Sequence, residues 1–473
     1  MVRTVARGRI SEPVVRTLGP SSRLVDVFPS FLDLPYPVLL DSTSSSGREA
    51  RFAYLTADPF MVVRSKGKHV ETEFQGSIER RESSPFDVLQ ELLRVYRFSR
   101  APGAPPFQGG AVGYLAYELA HHLERLPLTA TDDLDLPEMN VGLYDWVIAQ
   151  DRQTRETWAI STGLPEASST RAEERLQQAV HRMDNRPDPS DPTADIASPS
   201  QMRSTFSREE YLEAVSAVKK YIVQGDTYQV NISQRFEVPL KVPPWQLYRR
   251  LRKVNPAPFA AYLQYPEVAV LSASPEEYLR LEGGSVETRP MKGTRPRGRD
   301  PGEDRRLAAE LYASDKERAE NVMIVDLMRN DLGRVCIPGS IHVPDLFTVE
   351  RHPVVFQMVS TVRGEIRADV DAVDVLKACF PGGSVTGAPK IRAMEIIDEL
   401  EPTQRSVYCG AIGYIGFGGS MVISIPIRIL LAKGDMAYFQ VGGGVVADSD
   451  PEAEYRETLD KAEGSLRALG IHN

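Results

Sequence analysis

Two predicted helices each carry a pair of glutamates spaced three residues apart. The segments read SDKERAENVMIVDL at residues 314–327 and DPEAEYRETLDKAE at residues 450–463. Positions i and i+3 lie on one face of a helix, so each pair presents two carboxylates together. If the two helices face each other, four carboxylates could hold Mg²⁺, which binds carboxylate, water and substrate oxygens. The two pairs are Glu317 with Glu320 and Glu454 with Glu457.

A purely structural role for these glutamates is the open alternative. Glu317 completes a capping box with Ser314, three residues earlier. Glu457 precedes Lys461 by four residues, which is the spacing of an ion pair within one helix. Spacing alone does not decide between metal ligands and helix stabilisation.

One lysine stands out within a basic stretch. Residues 289–306 contain seven basic and three acidic residues. For the arginines beyond Arg295 a solvated loop is the simpler interpretation. Lys292 follows Pro290-Met291 and precedes Gly293-Thr294, a context typical of a strand that enters a tight turn. A lysine held there away from water loses its proton more easily and can act as a nucleophile.

Several common chemistries are disfavoured by the motifs. There is no HExxH zinc motif and no GxSxG nucleophile elbow. The run PGGSVTGAPK at residues 381–390 has two glycines five positions apart, Gly382 and Gly387, but Ala388 stands where a nucleotide P-loop needs lysine. The alternatives that remain are a plain turn and a turn whose backbone N–H groups meet a carboxylate at a helix N-terminus.

The elements that must position these residues fall into two parts. Residues 184–200 are rich in Pro, Asp and Ser and indicate a linker. They separate an N-terminal domain (residues 1–183) from a C-terminal domain (residues 201–473). Strands and helices alternate without a regular βαβ rhythm, which favours a complex α/β or α+β architecture. Strands are predicted at residues 38–40, 52–55, 61–63, 140–148, 268–272, 421–431 and 437–441, and helices at 169–183, 207–221, 315–332, 387–400 and from 450 onwards.

Composition narrows the classes of partner. The chain has 473 residues, is 42% hydrophobic and carries a net charge of −9. Such acidity argues against a surface that grips nucleic acid or an anionic membrane. Three widely spaced cysteines, Cys336, Cys379 and Cys409, predict neither a disulfide framework nor a metal knuckle. No targeting or membrane segment is recognised, since the apolar run at 421–432 is broken by Pro426 and Arg428. We therefore expect a cytoplasmic protein.

Taken together, the motifs resemble those of the chorismate-utilising enzymes, the family of anthranilate synthase component I. The resemblance covers nearly all of residues 206–465 in order, and looser matches occur in the N-terminal half at PVLLDS (37–42), GGAVGYLAYEL (109–119) and VGLYDW (141–146). The segments that carry it are GDTYQVNISQRF (225–236), NPAPFAAYL (255–263), SASPEEY (272–278), RPMKGTRPRG (289–298), ERAENVMIVDLMRNDLGRV (317–335), PGGSVTGAPKIRAMEIIDELEP (381–402), GAIGYIGF (410–417) and GGGVVADSDPEAEYRET (442–458).

The resemblance implies a fold and a reaction. The fold is a sandwich of two β-sheets with outer helices, in which the N-terminal and C-terminal parts interleave. Lys292 implies amination of chorismate at ring carbon C4, through a covalent intermediate in which the lysine amine is attached at C2. The product would be 4-amino-4-deoxychorismate, a precursor of p-aminobenzoate and folate. Gln229 stands where isochorismate and salicylate synthases have a lysine that activates water, so water addition is disfavoured.

The resemblance also implies the remaining roles, residue by residue. Glu276 would protonate the departing C4 hydroxyl. Arg428 and Tyr414 would bind the enolpyruvyl carboxylate, with Thr294 next to Gly293 and the backbone of Gly442, Gly443 and Gly444 completing the grip. Lys390 and the Gly387 turn would line the same cavity. Mg²⁺ would hold the ring carboxylate, with Glu320 and Glu457 as direct ligands and Glu317 and Glu454 acting through water.

Ammonia and regulation complete the expectation. The chain has no glutaminase signature, so a separate glutamine amidotransferase subunit is the implied partner. The segments LLDS and NPAPF match places where relatives bind tryptophan, although Asp41 departs from that pattern. Gln357 stands where many relatives have a histidine, which weakens a pyruvate-eliminating activity. The rivals are anthranilate synthase component I, isochorismate synthase, and a non-enzymatic scaffold that keeps the fold.

Overall fold

A computed structural model describes residues 12–43, 51–184, 196–352 and 355–471. In this part of the chain, two twelve-stranded antiparallel sheets pack with ten α-helices. The largest hydrophobic core contains residues of both sheets, such as Val270 from the first and Val112 from the second. The expected architecture of two β-sheets with outer helices is therefore confirmed.

The first sheet draws strands from both halves of the chain. In spatial order it contains β1 (Val14–Pro20), β10 (Glu156–Ser161), β9 (Trp146–Asp151), β3 (Phe52–Thr56), β2 (Val38–Asp41), β13 (Phe259–Gln264), β14 (Ala269–Ser274), β23 (Ile429–Lys433), β24 (Met436–Val445), β12 (Gln229–Pro239) and β11 (Arg203–Ser204), with β20 (Gly387–Ala388) also paired to β12. The halves meet where Leu39 in β2 lies opposite Tyr262 in β13.

The second sheet also contains strands from both halves of the chain. In spatial order it contains β17 (Met291–Pro296), β19 (Val355–Glu365), β16 (Ser285–Thr288), β15 (Glu277–Glu282), β22 (Met421–Ser424), β21 (Ala411–Gly416), β7 (Gly110–Leu115), β8 (Met139–Tyr144), β4 (Met61–Lys66), β5 (His69–Phe74) and β6 (Ser77–Glu82), with β18 (His342–Arg351) also paired to β19. Here the halves meet where Gly113 in β7 lies opposite Gly413 in β21. Both halves thus build each sheet.

The described residues form ten α-helices, of which five are predicted from the sequence. They are α1 (Leu24–Val27), α2 (Pro85–Val95), α3 (Ser169–Asp184), α4 (Arg208–Gln224), α5 (Pro244–Val254), α6 (Pro301–Ala313), α7 (Asp315–Gly333), α8 (Ala372–Cys379), α9 (Lys390–Leu400) and α10 (Pro451–Leu469). Helix α9 begins at Lys390 rather than at residue 387. Ser207 and Glu210 form the predicted capping box of α4. Asp450 caps α10 by accepting from the backbone N–H of Ala453.

The predicted linker at residues 184–200 lies mostly outside the described residues, because 185–195 are not described. On its two sides, α3 ends at Asp184 and a short 3₁₀ helix spans Pro199–Gln201. No described helix is both long enough and apolar enough to cross a membrane.

The prediction of one strand over residues 421–431 is wrong, because the structure has two strands there. The segment forms two strands, β22 in the second sheet and β23 in the first, and the chain passes between the sheets in between. Pro426 lies in that passage, where a residue without a backbone N–H cannot continue a central strand. An earlier segment of the chain also passes from one sheet to the other, since β14 belongs to the first sheet and β15, the next strand along the chain, belongs to the second.

Candidate active site

The two passages between the sheets lie side by side. β14 pairs with β23 on one side, with Ser272 opposite Ile429, and β15 pairs with β22 on the other, with Glu277 opposite Ser424. Between these pairs, the Ile425 N–H donates to the Glu276 carbonyl. Glu276 therefore sits on one passage, and Arg428 sits on the other, with a left-handed backbone φ of 54°. These two expected site residues lie on neighbouring backbone segments, since the Ala273 N–H also donates to the Arg428 carbonyl.

Glu276 is buried and has one strong hydrogen bond. The Ser384 hydroxyl donates to its Oε1 at 2.6 Å. Burial raises the pKa of Glu276 to about 7, although the Ser384 hydrogen bond and the charge of Lys292 both act to lower it. A carboxyl group with such a pKa is still about half protonated at neutral pH and can give its proton to a leaving group.

Lys292 lies on a β-bulge in β17. Met291 and Thr294 pair with β19, whereas the register is interrupted at Lys292 and Gly293. A bulge re-aims the side chains at its position. The Lys292 side chain is 14% exposed, and its Nζ lies 4.0 Å from Oε2 of Glu320. Burial lowers the pKa of the Lys292 amine, and the nearby charge of Glu320 partly opposes that shift. This shift makes the neutral, nucleophilic amine easier to form.

Glycines allow close approach around this lysine. Gly293 has φ of +87°, and a Cβ there would lie 2.9 Å from Glu317 Oε2. A Cβ at Gly444 would overlap the side-chain amide of Gln229 and lie 3.4 Å from Lys292 Nζ. Lys292, Gln229 and the Gly444 backbone therefore share one space, at the point where the edge of the second sheet meets the first.

The four glutamates lie on two helices, as predicted, and are balanced by lysines and hydroxyls. Ser449 donates to Glu454 at 2.6 Å, and Lys461 pairs with Glu457 at 2.7 Å. A Cβ at Gly443 would lie 3.2 Å from Glu454 Oε2 and 3.6 Å from Glu457 Oε1. The structural alternatives are also present, since Ser314 caps the N–H of Glu317 at 3.4 Å.

The pKa values of these glutamates depend on burial and on several neighbouring charged side chains. Burial raises the pKa of Glu320 and of Glu454, and the neighbouring carboxylate of Glu457 adds to both shifts. Burial would raise the pKa of Glu457 as well, but Lys461 outweighs it and the pKa is lowered. Within the described residues, no three acidic, histidine or cysteine side chains are grouped closely enough to hold a metal ion. The chemistry of the donors still fits Mg²⁺, since all four are carboxylates and neighbouring carboxylates among them raise one another's pKa.

Arg428 carries a largely buried guanidinium. Among the residues that the structure describes, none makes a hydrogen bond or ion pair with its guanidinium, and burial lowers its pKa. A guanidinium without a partner away from water is a ready site for a carboxylate, which it can bind through two hydrogen bonds.

The other expected residues are placed as follows. Thr294 is exposed and lies opposite Gln357, which is buried in β19. Lys390 donates to Asp331 at 2.5 Å and to the Cys379 carbonyl at 2.8 Å, so its amine is held in a buried ion pair. Gly387 packs so closely on the Gln229 carbonyl that a Cβ would overlap it.

Tyr414 is not brought to Arg428. Its ring packs against Phe107 at 4.5 Å and Tyr54 at 5.6 Å, and burial raises its pKa to about 12. It lines a cavity of about 80 Å³ whose described lining includes Asp41 and Phe259 but not Arg428. That cavity is where LLDS and NPAPF meet, the place expected for tryptophan. Tyr408 lies nearer than Tyr414 to the passage that carries Arg428, because the N–H of Cys409 donates to the Pro426 carbonyl.

Sequence reasoning missed the residues that support Glu276. Ser384 lies inside the glycine-rich turn, whose pattern points to backbone N–H groups rather than to a serine side chain. Arg405 and Glu401 form a buried ion pair behind that turn, with both side chains 2% exposed. A buried pair of opposite charges four residues apart carries no signal in the sequence that separates it from a surface pair.

Comparison with known proteins agrees with this fold. The family model described as chorismate binding enzyme matches residues 46–467. Aminodeoxychorismate synthase component 1 of Salmonella typhimurium is 43% identical over 92% of this chain and 93% of its own length. Anthranilate synthase component 1 of Thermus thermophilus is 43% identical over 92% of each chain. The crystal structure of anthranilate synthase component I from Streptococcus pneumoniae superposes with a TM-score of 0.80, at 31% identity over 90% of this chain and 93% of that one.

The chain belongs to the family of chorismate-binding enzymes. Its two antiparallel sheets with surrounding helices are the fold of that class.

Proposed function

We propose that this protein acts as aminodeoxychorismate synthase component 1, converting chorismate and ammonia into 4-amino-4-deoxychorismate and water. The observation that carries the proposal is the Lys292 amine, which is buried, has a lowered pKa and lies close enough to Glu276 for the two charges to interact. Overall identity does not separate this activity from that of anthranilate synthase, because relatives of both names are 43% identical to this chain.

The proposed reaction proceeds in two displacements. In the first, the neutral Lys292 amine attacks ring carbon C2, both ring double bonds shift, and the C4 hydroxyl leaves. Glu276 supplies the proton that makes the departing group water. In the second, ammonia attacks C4, both double bonds shift back, and the C2–nitrogen bond breaks to release the neutral lysine amine. The new ammonium group at C4 then returns a proton to Glu276. Atoms balance, because one ammonia enters and one water departs.

The protonation states of the two groups suit this order of events. The attack needs Lys292 without its proton and Glu276 with its proton. Burial favours the neutral form of both groups, since it lowers the pKa of Lys292 and raises that of Glu276. Gln229 cannot act as a base for water at this position, which argues against the isochorismate synthase alternative.

Binding of the substrate carboxylates would use the cations and the backbone of the cavity. The largely buried Arg428 guanidinium is the proposed partner of the enolpyruvyl carboxylate, together with the Gly442–Gly444 backbone. Glu320 and Glu457 are the proposed direct ligands of Mg²⁺, with Glu317 and Glu454 behind water. When bound, Mg²⁺ would neutralise the ring carboxylate amid these acids.

Ammonia is proposed to come from a glutamine amidotransferase subunit in the cytoplasm. The relatives named component 1 fit an enzyme with a second subunit. The three cysteines of this chain are buried, and burial raises the pKa of each, so they are poor nucleophiles for glutamine hydrolysis.

Product identity tests the proposal. The protein is incubated with chorismate, Mg²⁺ and ammonium, and the product is examined by mass spectrometry, NMR and fluorescence. We expect a non-fluorescent product that carries its amino group at C4. Formation of fluorescent anthranilate without that product would establish the anthranilate synthase alternative, and product without ammonium would establish isochorismate synthase.

Lys292→Met keeps the size of the side chain and removes the nucleophile. With chorismate but no ammonium, intact-protein mass spectrometry should find an adduct of chorismate less water on the wild type and none on the variant. Normal formation of 4-amino-4-deoxychorismate by the variant would reject the covalent role. Residual attack by ammonia at C2 is the expected leftover activity.

A further inference from the structure

The buried ion pair of Arg405 and Glu401 lies next to the turn that carries Ser384. Arg405 donates from Nε to Glu401 Oε2 at 2.9 Å and from Nη2 to Glu401 Oε1 at 2.6 Å. Glu401 also accepts from the N–H and hydroxyl of Ser233, at 2.9 and 2.8 Å. Both charges are therefore fully hydrogen-bonded, as a buried pair requires.

The guanidinium also donates to two backbone segments that lie next to the proposed catalytic residues. Nη1 donates to the Val385 carbonyl at 2.8 Å, and Nη2 donates to the Asn231 carbonyl at 2.7 Å. Val385 follows Ser384, whose hydroxyl donates to Glu276. Asn231 lies opposite Gly444 in the first sheet, and Gly444 is the glycine against Gln229 and Lys292. One side chain thus joins the walls on both sides of the reacting centre.

The two segments are also joined to each other. The N–H of Asn231 donates to the Thr386 carbonyl at 2.8 Å. The Asn231 strand is kept in place by ten residue pairs with β24, so it has support besides Arg405. The turn over residues 383–385 is a single 3₁₀ turn, and Arg405 is its buried charged anchor. Loss of that anchor should therefore affect the turn more than the strand.

The N-terminal half fixes Arg405 from behind. Glu118 accepts from the backbone N–H of Arg405 at 2.8 Å and from that of Ser406 at 3.1 Å. The guanidinium also lies 4.8 Å from the centre of the Tyr117 ring. Arg405 therefore has no freedom to move toward or away from the turn that carries Ser384.

We propose that Arg405 is a positioning residue for the reaction, which holds the Ser384 turn so that the Ser384 hydroxyl orients the carboxyl group of Glu276. The proposal rests on the proposed function, in which Glu276 protonates the leaving hydroxyl. A buried ion pair is weak evidence for stability alone, since well-packed apolar residues often serve as well or better. The contacts to Val385 and Asn231 give this pair a use that apolar residues could not supply.

Arg405→Lys is the test variant, because it keeps the charge opposite Glu401 but loses the planar fork that reaches both carbonyls. A misplacement of about 1 Å can cost on the order of 100-fold, so we expect kcat to fall about 10- to 100-fold. The KM for chorismate should change less than about threefold, since β12 keeps its backbone pairs. Arg175→Lys is the matched control: Arg175 pairs with Asp58 and with the buried Asp145 in the N-terminal half, outside the cavity. It should leave kcat unchanged.

Ser384→Ala and the double variant identify the route. If Arg405 acts through Ser384, the double variant should be no slower than the slower single variant, within about twofold. The alkaline limb of the pH profile is the second readout. The Ser384 hydrogen bond lowers the pKa of Glu276, so both single variants should move that limb to higher pH. Lys292, Tyr278 and Cys409 also lie near Glu276 and are unchanged in every variant.

Wild-type kcat in Arg405→Lys, losses that multiply in the double variant, or an alkaline limb that does not move would each overturn the proposal. If Arg405→Lys does not fold, Arg405→Gln combined with Glu401→Gln leaves no unpaired buried charge and is judged by the same criteria. The coupling is measured on whichever product the wild type forms from chorismate. Failure of the proposed function is seen in the identity of that product, whereas failure of this proposal is seen only in the variants.

Discussion

Replacing Glu276 by glutamine separates the catalytic cost of this carboxyl group from its cost to stability. Glutamine has nearly the same shape, and its amide oxygen can still accept from Ser384 at the position now occupied by Oε1, 2.6 Å away. It cannot donate a proton to a leaving hydroxyl. Because general acid catalysis typically contributes 10²–10⁴-fold, we expect kcat to fall by about that factor.

The same substitution should stabilise the protein above neutral pH. The pKa of Glu276 rises from an ordinary 4.5 to about 7 on folding. Below pH 4.5 the group is protonated in both folded and unfolded states. As the pH rises to 7 the unfolded state ionises first, so stability is lost across this window. At about 1.4 kcal/mol per pKa unit, the loss reaches roughly 3 kcal/mol and is constant above pH 7.

Two assays check this reasoning on the same samples. Steady-state kinetics with chorismate, Mg²⁺ and ammonium give kcat. Urea unfolding at pH 5 and pH 8 gives the free energies of unfolding, and Glu276→Gln should gain relative to the wild type mainly at pH 8. In the wild type, activity should fall as the pH rises through about 7, where Glu276 loses its proton. A variant that keeps wild-type kcat, or whose stability relative to the wild type is the same at both pH values, would refute the reasoning.

Two other substitutions probe the metal ligands and the backbone of the cavity. Glu320→Gln removes one of the proposed Mg²⁺ ligands, so Mg²⁺ binding measured by calorimetry should weaken at least tenfold; unaltered binding would count against ligation. Gly444→Ala introduces a Cβ that overlaps the Gln229 amide and reaches to 3.4 Å from Lys292 Nζ. We expect activity to drop at least tenfold while Tm falls by only a few degrees, and full activity would show that this wall does not touch the substrate.

Local features of this protein follow from its sequence. The caps of α4 and α10 depend on residues within one turn of each other. Ser207 and Asp450 therefore predict the starts of these two helices directly. The placement of Glu317 with Glu320 and of Glu454 with Glu457 on helices follows from helical periodicity. For Lys292 the sequence predicts a strand that enters a tight turn, whereas the structure places the residue on a bulge within β17.

Only the tertiary structure decided how these pieces meet. The break at Pro426 sends one predicted strand into two sheets, and that passage lies beside the passage that carries Glu276. Tyr414 lies in an aromatic cluster with Tyr54 and Phe107, away from Arg428, because the face it occupies depends on the register of β21 against β7. These contacts join residues far apart in the chain.

The pKa values that suit Lys292 and Glu276 to their proposed roles belong to the same category. The sequence determined which groups can ionise, but the shifts arise from burial and from charges brought in by other strands and helices. Ser384 and Arg405 had no distinguishing signal for the same reason. Neighbours along the chain determine helices, caps and turns, whereas the environment of a buried group depends on the packing of the whole fold.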